Sequence, residues 1–123
     1  MDVSFDSAKN ATSQVVTFFN HQRFGVKKQL QFLEDLFVLI DDGIPPNRAI
    51  DMMVQATQGI TREVALHLSR SISEGLPLAD GMKVWFLPNI VEIIRVGESG
   101  GALAQTIQSA VKSLSQRSAA MGS

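Results

Sequence analysis

Glu98 has the best claim to chemistry in this sequence, because it stands among glycines in Val96-Gly97-Glu98-Ser99-Gly100-Gly101-Ala102-Leu103. Glycines ahead of a helix suit anion binding at free backbone amides. Here no strand precedes them, no lysine follows, and the Glu98 carboxylate repels a phosphate. Acid–base catalysis needs a positioned partner as well as a glutamate. The architectural alternative is stronger. Glu98 is placed to accept hydrogen bonds from the first amides of the helix that follows and to favour that helix's positive end. Gly97 allows two helices to approach closely, and Gly100 or Gly101 supplies a positive φ.

The remaining candidates also have structural readings. Glu34-Asp35 and Asp41-Asp42 are paired carboxylates. Such pairs bind divalent cations, but calcium takes about six to eight oxygens. Asp41 and Asp42 fall at the C-terminal end of an expected helix, where the dipole disfavours them. A partner surface rich in lysine or arginine explains this, and so does solubility alone. His67 shares a helical segment with Glu63 and Arg70, and no serine or carboxylate completes a triad with it. Trp85 and Phe86 read as core anchors before a binding platform. Met52, Met53 and Met82 read as core fillers. With no cysteine, and only His21 and His67 as histidines, zinc has too few ligands. No catalytic residue, metal or cofactor is assigned.

The balance of residues narrows the class. The chain has 123 residues, 45% hydrophobic and 19% charged, with net charge −1. That describes one globular domain with a modest core. It gives no basic face for nucleic acid. No apolar run approaches the ~18–20 residues of a membrane span, and the start lacks the pattern of a secretory signal. The chain therefore reads as soluble, with the possibility that it is excised from a membrane protein.

Apolar spacing of three and four residues recurs along the chain, and no segment alternates as a strand does. An outer helix is expected over about Ser7 to Phe24, with Ser7 as its cap, a cluster at Val15, Val16, Phe18 and Phe19, and a break at Phe24-Gly25. A central helix is expected over Val26 to Asp42. Leu30, Leu33, Phe37 and Ile40 form one face of it, and Phe32, Leu36 and Leu39 a second. Gly43 and Pro45 stop it. Pro46 to Gln58 follows, burying Ala49, Ile50, Met53 and Val54, with Gly59 as its end. Thr61 is the expected cap of a helix running to Gly75, with Val64, Ala65, Leu68 and Ile72 inward. Shorter segments run over Leu78 to Trp85, Asn89 to Glu98 and Ala102 to Gln116. The last two carry Ile90, Ile93, Ile94 and Gly97, then Leu103, Ile107, Ala110, Val111 and Leu114. The expected fold is an all-α, compact antiparallel bundle of about six helices plus an N-terminal helical arm. Its organisation is an arm at 1–25, a bundle at 26–118 and a flexible tail at 119–123.

Gly43-Ile44-Pro45 is echoed 32 residues later by Gly75-Leu76-Pro77. Duplication is one reading, and with it a tetratricopeptide-like adaptor of repeated hairpins. The other reading is that both corners solve the same problem of stopping a helix and turning inward.

The order of these corners resembles the cytoplasmic domain of the type II secretion system F / type IV pilus inner-membrane platform family. The matching residues are Phe32-Leu33-Glu34-Asp35-Leu36, Leu39-Ile40-Asp41-Asp42-Gly43-Ile44-Pro45, Ala49-Ile50, Ile72-Ser73-Glu74-Gly75 and Leu78-Ala79-Asp80-Gly81-Met82. Leu87-Pro88 and Gly97-Glu98-Ser99-Gly100 with Leu103 and Ile107 complete them. The resemblance covers about Val26 to Gln116. It implies a bundle of about six helices without enzymatic activity, the first of two cytoplasmic domains in a polytopic protein of the bacterial inner membrane. It implies partners in a cytoplasmic assembly or secretion ATPase and in inner-membrane assembly proteins, with a homodimer or homo-oligomer as a further option. It also makes Gly43, Pro45, Gly75, Pro88, Gly97, Glu98, Gly100 and Leu103 family-motif residues of structural role. Two positions depart from the family pattern. Pro77 stands where a capping serine is common, and Gly81 where alanine is, so the short helix there is expected to be weak. The short N-terminal arm points to a pilus-assembly branch.

Overall fold

A computed structural model describes residues 15, 16, 19, 20 and 22–122. It is an all-α bundle, with no strand among the described residues. From Val26 onward, six helices follow one another among the described residues: α1 Val26–Asp41, α2 Pro46–Ala56, α3 Gly59–Ser73, α4 Leu78–Met82, α5 Pro88–Gly100 and α6 Leu103–Gly122. The described residues of the arm before Phe24 are helical. Ser7 and Phe18, named above for cap and cluster, lie outside the described residues.

Each helix packs on its neighbours in sequence, and α6 returns to pack extensively against α1. This closes the bundle. A solenoid of repeated hairpins keeps each unit on its nearest neighbours alone, so the tetratricopeptide-like alternative does not describe this fold. The echoed corners have a local cause. Gly43 (φ 96°) and Gly75 (φ 87°) take left-handed backbone that other residues resist. Ile44 N–H then donates to Leu39 O, and Leu76 N–H to Ser71 O, each at 3.1 Å. Both are Schellman stops, which cap the last carbonyls of a helix. Pro45 and Pro77 then precede the first residues of α2 and α4. Ala102 N–H closes the same ring onto Gly97 O at 2.8 Å, with Gly101 (φ 73°) as the left-handed residue. The positive φ thus falls on Gly101, while Gly100 remains helical.

The expected inward stripes are inward. Ala49, Ile50, Met53 and Val54 of α2 are buried, as are Val64, Ala65 and Leu68 of α3 and Ile107, Ala110 and Leu114 of α6. On α1 it is Phe32, Leu33 and Leu36 that are fully buried, while Leu30, Phe37, Leu39 and Ile40 pack at the margin. Met52 is an exception: it is exposed, because only its neighbour Met53 falls on the inner face.

Three boundaries differ from expectation. Thr61 does not cap α3, and Gly59 does not end α2. Gly59, with φ 63°, turns the chain straight into α3, and Gln58 O accepts the first helical bond from Arg62 N–H. The helix at Leu78 stops at Met82, because the chain turns there to bury Trp85 and Phe86. The last helix runs past Gln116 to Gly122, into the stretch set aside as a tail.

Phe24 is more than a helix break. It is fully buried, with its ring edge-on to Phe86 at 5.3 Å, Phe32 at 6.0 Å and Trp85 at 6.4 Å. Edge-to-face aromatic contacts add to the stabilisation from burial. This cluster ties the end of the arm to α1 and to the turn after α4.

Candidate functional site

The glycine–glutamate stretch forms the end of α5 and the corner into α6. Gly97 is buried against α6, and a Cβ there falls 1.8 Å from Thr106 Oγ1 and 2.6 Å from Thr106 Cβ and Cγ2. Only a residue without a side chain permits this approach. Gly100 meets nothing within 4 Å. Leu103, at the start of α6, is half-buried against the core.

Glu98 does not cap α6. Its carboxylate crosses instead to the start of α4, where Oε2 accepts from Leu78 N–H at 2.5 Å and Oε1 from Ala79 N–H at 3.1 Å. The reason lies at Pro77. It is the residue before α4 and has no side-chain acceptor to offer, so the first amides of α4 need a partner from elsewhere. A carboxylate from α5 meets that need and sits at the positive end of the short helix. Beside it, Arg95 donates to Asp80 at 2.7 Å and lies 3.7 Å from Glu92. The hydrogen bond to Asp80 raises the Arg95 pKa above its usual value, helped by the charges of Asp80, Glu92 and Glu98. Two side chains of α5 therefore hold α4 in place. Gly81 is not simply a weak helix former there. A Cβ at that position comes within 2.9 Å of Leu68 Cδ2 and 3.1 Å of Ser71 Oγ, so glycine lets α4 lie close on α3.

His67 also has a structural partner. Its Nδ1 accepts from Trp85 Nε1 at 2.9 Å, which places the ring proton of neutral His67 on Nε2. Burial is the main influence lowering its pKa below 6.5; Arg70 adds to the shift and Glu74 opposes it. Protonation at Nδ1 breaks the bond to Trp85. Because the unfolded chain binds this proton at about 6.5 and the folded chain only at lower pH, the contribution is complete above pH 6.5. It is lost as pH falls from there through the lowered folded value. Trp85 is the only tryptophan, so its fluorescence reports the event. The expected result is an emission step with a midpoint below pH 6.5 that His67→Phe removes. A step that survives the substitution contradicts the assignment.

Gln29 has a role that its sequence position conceals. It is 1% exposed, donates from Nε2 to Phe24 O at 3.0 Å and accepts at Oε1 from Leu87 N–H at 3.1 Å. It thereby joins the start of α1 to the Leu87-Pro88 corner. Gln29→Leu leaves a donor and an acceptor unpaired in the interior. Urea denaturation should show a loss of about 2 kcal/mol. A loss below about 0.5 kcal/mol contradicts the clamp.

Among the described residues no buried side-chain polar atom lacks a hydrogen-bond partner, and no three His, Cys, Asp or Glu side chains form a metal-sized group. No described helix is long and apolar enough to cross a membrane. Glu98 and His67 do not meet: one binds the start of α4 and the other binds Trp85.

Two grooves on the surface contrast with each other. One, of about 390 Å³, is lined by Gln22, Arg23, Lys27 and Lys28 near the start of α1 and by Ser118 of α6. The other, of about 310 Å³, lies between α1 and α2, with Val38, Leu39, Met52 and Met53 as apolar walls and Asp35 at its edge.

Residues 32–120 match the family model for type II secretion system protein F. No curated protein matches the chain. The matched span runs from Phe32 on α1 to Ala120 on α6 and takes in all three glycine stops and the Glu98 cap. The chain belongs to the type II secretion system protein F family, non-enzymatic platform proteins of the inner membrane.

Proposed function

We propose that this domain is a non-catalytic docking module on the cytoplasmic side of the inner-membrane platform, receiving the assembly or secretion ATPase and other inner-membrane assembly proteins. The observation that carries this reading is the use made of the family-motif residues. Gly97 and Glu98 set the distance and cap between helices, so these groups are engaged in holding a rigid surface. A rigid closed bundle is suited to presenting fixed faces to partners. Its outward-facing grooves, lined by both apolar and charged side chains, suit contacts with proteins.

The test is co-purification from detergent-solubilised membranes. Full-length platform protein should retain the ATPase and inner-membrane partners, and the same protein lacking residues 26–118 should lose at least one of them. Equal recovery of every partner without the domain overturns the reading.

A further inference from the structure

We infer that the groove between α1 and α2 receives an amphipathic helix of a partner protein, with apolar residues inserted between Val38 and Met52 and lysines or arginines along its flank. This rests on the docking role proposed above and assigns it a surface and a chemistry.

Val38 is 64% exposed and Met52 41% exposed, an unusual placement for two large apolar side chains on facing walls of one groove. Val38 also forms part of a second groove, of about 250 Å³, with Glu34, Phe37, Gln108 and Val111. It is therefore a ridge between two depressions. A helix laid in the groove beside this ridge anchors through side chains three and four residues apart.

Charge selects the occupant. From Phe32 to Ala56 the chain carries Glu34, Asp35, Asp41, Asp42 and Asp51 against the single Arg48. On the exposed side of α1, Glu34, Asp35, Val38, Asp41 and Asp42 recur at helical spacing, so the carboxylates bracket the ridge. Asp41 and Asp42 form no ion pair among the described residues, and they add negative charge where the α1 dipole is already negative. A basic partner removes that tension. Three of the positive groups of this chain, Arg23, Lys27 and Lys28, lie at the opposite end of α1.

A second copy of the chain fits less well. Laid antiparallel along α1, it sets Lys27 and Lys28 opposite Asp42 and Asp41. The same register brings Glu34 and Asp35 of both copies together at the two-fold axis. A parallel copy faces like charges along its whole length. A heterologous basic helix meets neither repulsion.

The test places benzoylphenylalanine at position 38, 52 or 62 of the full-length platform protein in cells, with position 62 on the exposed side of α3 as the control. Photolysis should join positions 38 and 52 to another protein, and mass spectrometry should map the joined peptide to an apolar-periodic segment carrying Lys or Arg. That segment, made as a synthetic peptide, should bind Val38→Arg and Asp41→Lys/Asp42→Lys chains at least tenfold more weakly than the unaltered chain. Exchanging its basic residues for glutamate should restore binding to the double reversal. All three positions are exposed, so these variants retain the fold, which circular dichroism checks. Cross-links to a second copy, or to an acidic or unpatterned segment, overturn the inference. Cross-links from position 62 alone also overturn it while leaving the docking role standing. Failure of co-purification, by contrast, removes the docking role itself.

Discussion

Replacing Gly97 by alanine is expected to destabilise the domain by about 3 kcal/mol, the upper end of what overpacking a close contact costs. The added Cβ falls 1.8 Å from Thr106 Oγ1, a separation no relaxed structure contains, and the nearest Thr106 carbons lie at 2.6 Å. Thr106 has little freedom to retreat, because its hydroxyl donates to Leu103 O at 3.0 Å and its own Cβ is in the clash. The main remaining response is to separate α5 from α6. Those two helices form one of the most extensive contacts in the bundle, so the separation opens the core around Ile94 and Ile107. Thr106→Ala in the Gly97→Ala background removes Oγ1 and Cγ2 but leaves Cβ, so it should recover part of the loss. Urea denaturation of the single and double variants checks both numbers. A Gly97→Ala chain as stable as the parent contradicts the close approach.

Glu98→Ala should also cost about 3 kcal/mol, for two charge-assisted hydrogen bonds of roughly 1.5 kcal/mol each. Pro77 offers no replacement acceptor, so the amides of Leu78 and Ala79 lose their partner together. Glu98→Gln keeps one acceptor oxygen and should lose about half as much. Amide hydrogen exchange locates the effect. Protection should fall first at Leu78 and Ala79 in α4, and the first turn of α6 should be unaffected. Loss of protection at the start of α6 instead restores the simpler idea of a local cap.

These two residues mark the border of what was legible in sequence. The architecture of Gly97 was legible: an isolated glycine on an apolar stripe between Ile93, Ile94 and the corner reads as a close helix approach. Glu98 reads as a cap in the sequence, but of α6, whereas it caps α4. The nearest free amides in sequence belong to α6, and nothing local points to Leu78 and Ala79, about twenty residues earlier. The missing signal was Pro77. A helix that begins after proline, without a side-chain acceptor of its own, requires one from elsewhere. The three-to-four spacing of α2 identified its four buried residues because a short surface helix has one inner face. Reading Met52 as a core filler from residue type alone fails, because Met52 is adjacent to that face in sequence but turned away from it. Gln29 had no local signal at all. Between Lys28 and Leu30 it reads as a solvent-facing position, and only the return of Leu87 beside it makes it a clamp.

The structural role of the glycine–glutamate corner can be tested by one comparison. Pilus assembly or secretion is measured in cells for Glu98→Gln, Glu98→Ala, Gly97→Ala and Gly97→Ala/Thr106→Ala, and set against the melting temperature of each domain. A corner that acts only through the fold places all four on a single curve, with activity following stability. A Glu98→Gln platform that keeps the parent melting temperature and loses assembly contradicts it, and gives Glu98 a direct contact with a partner.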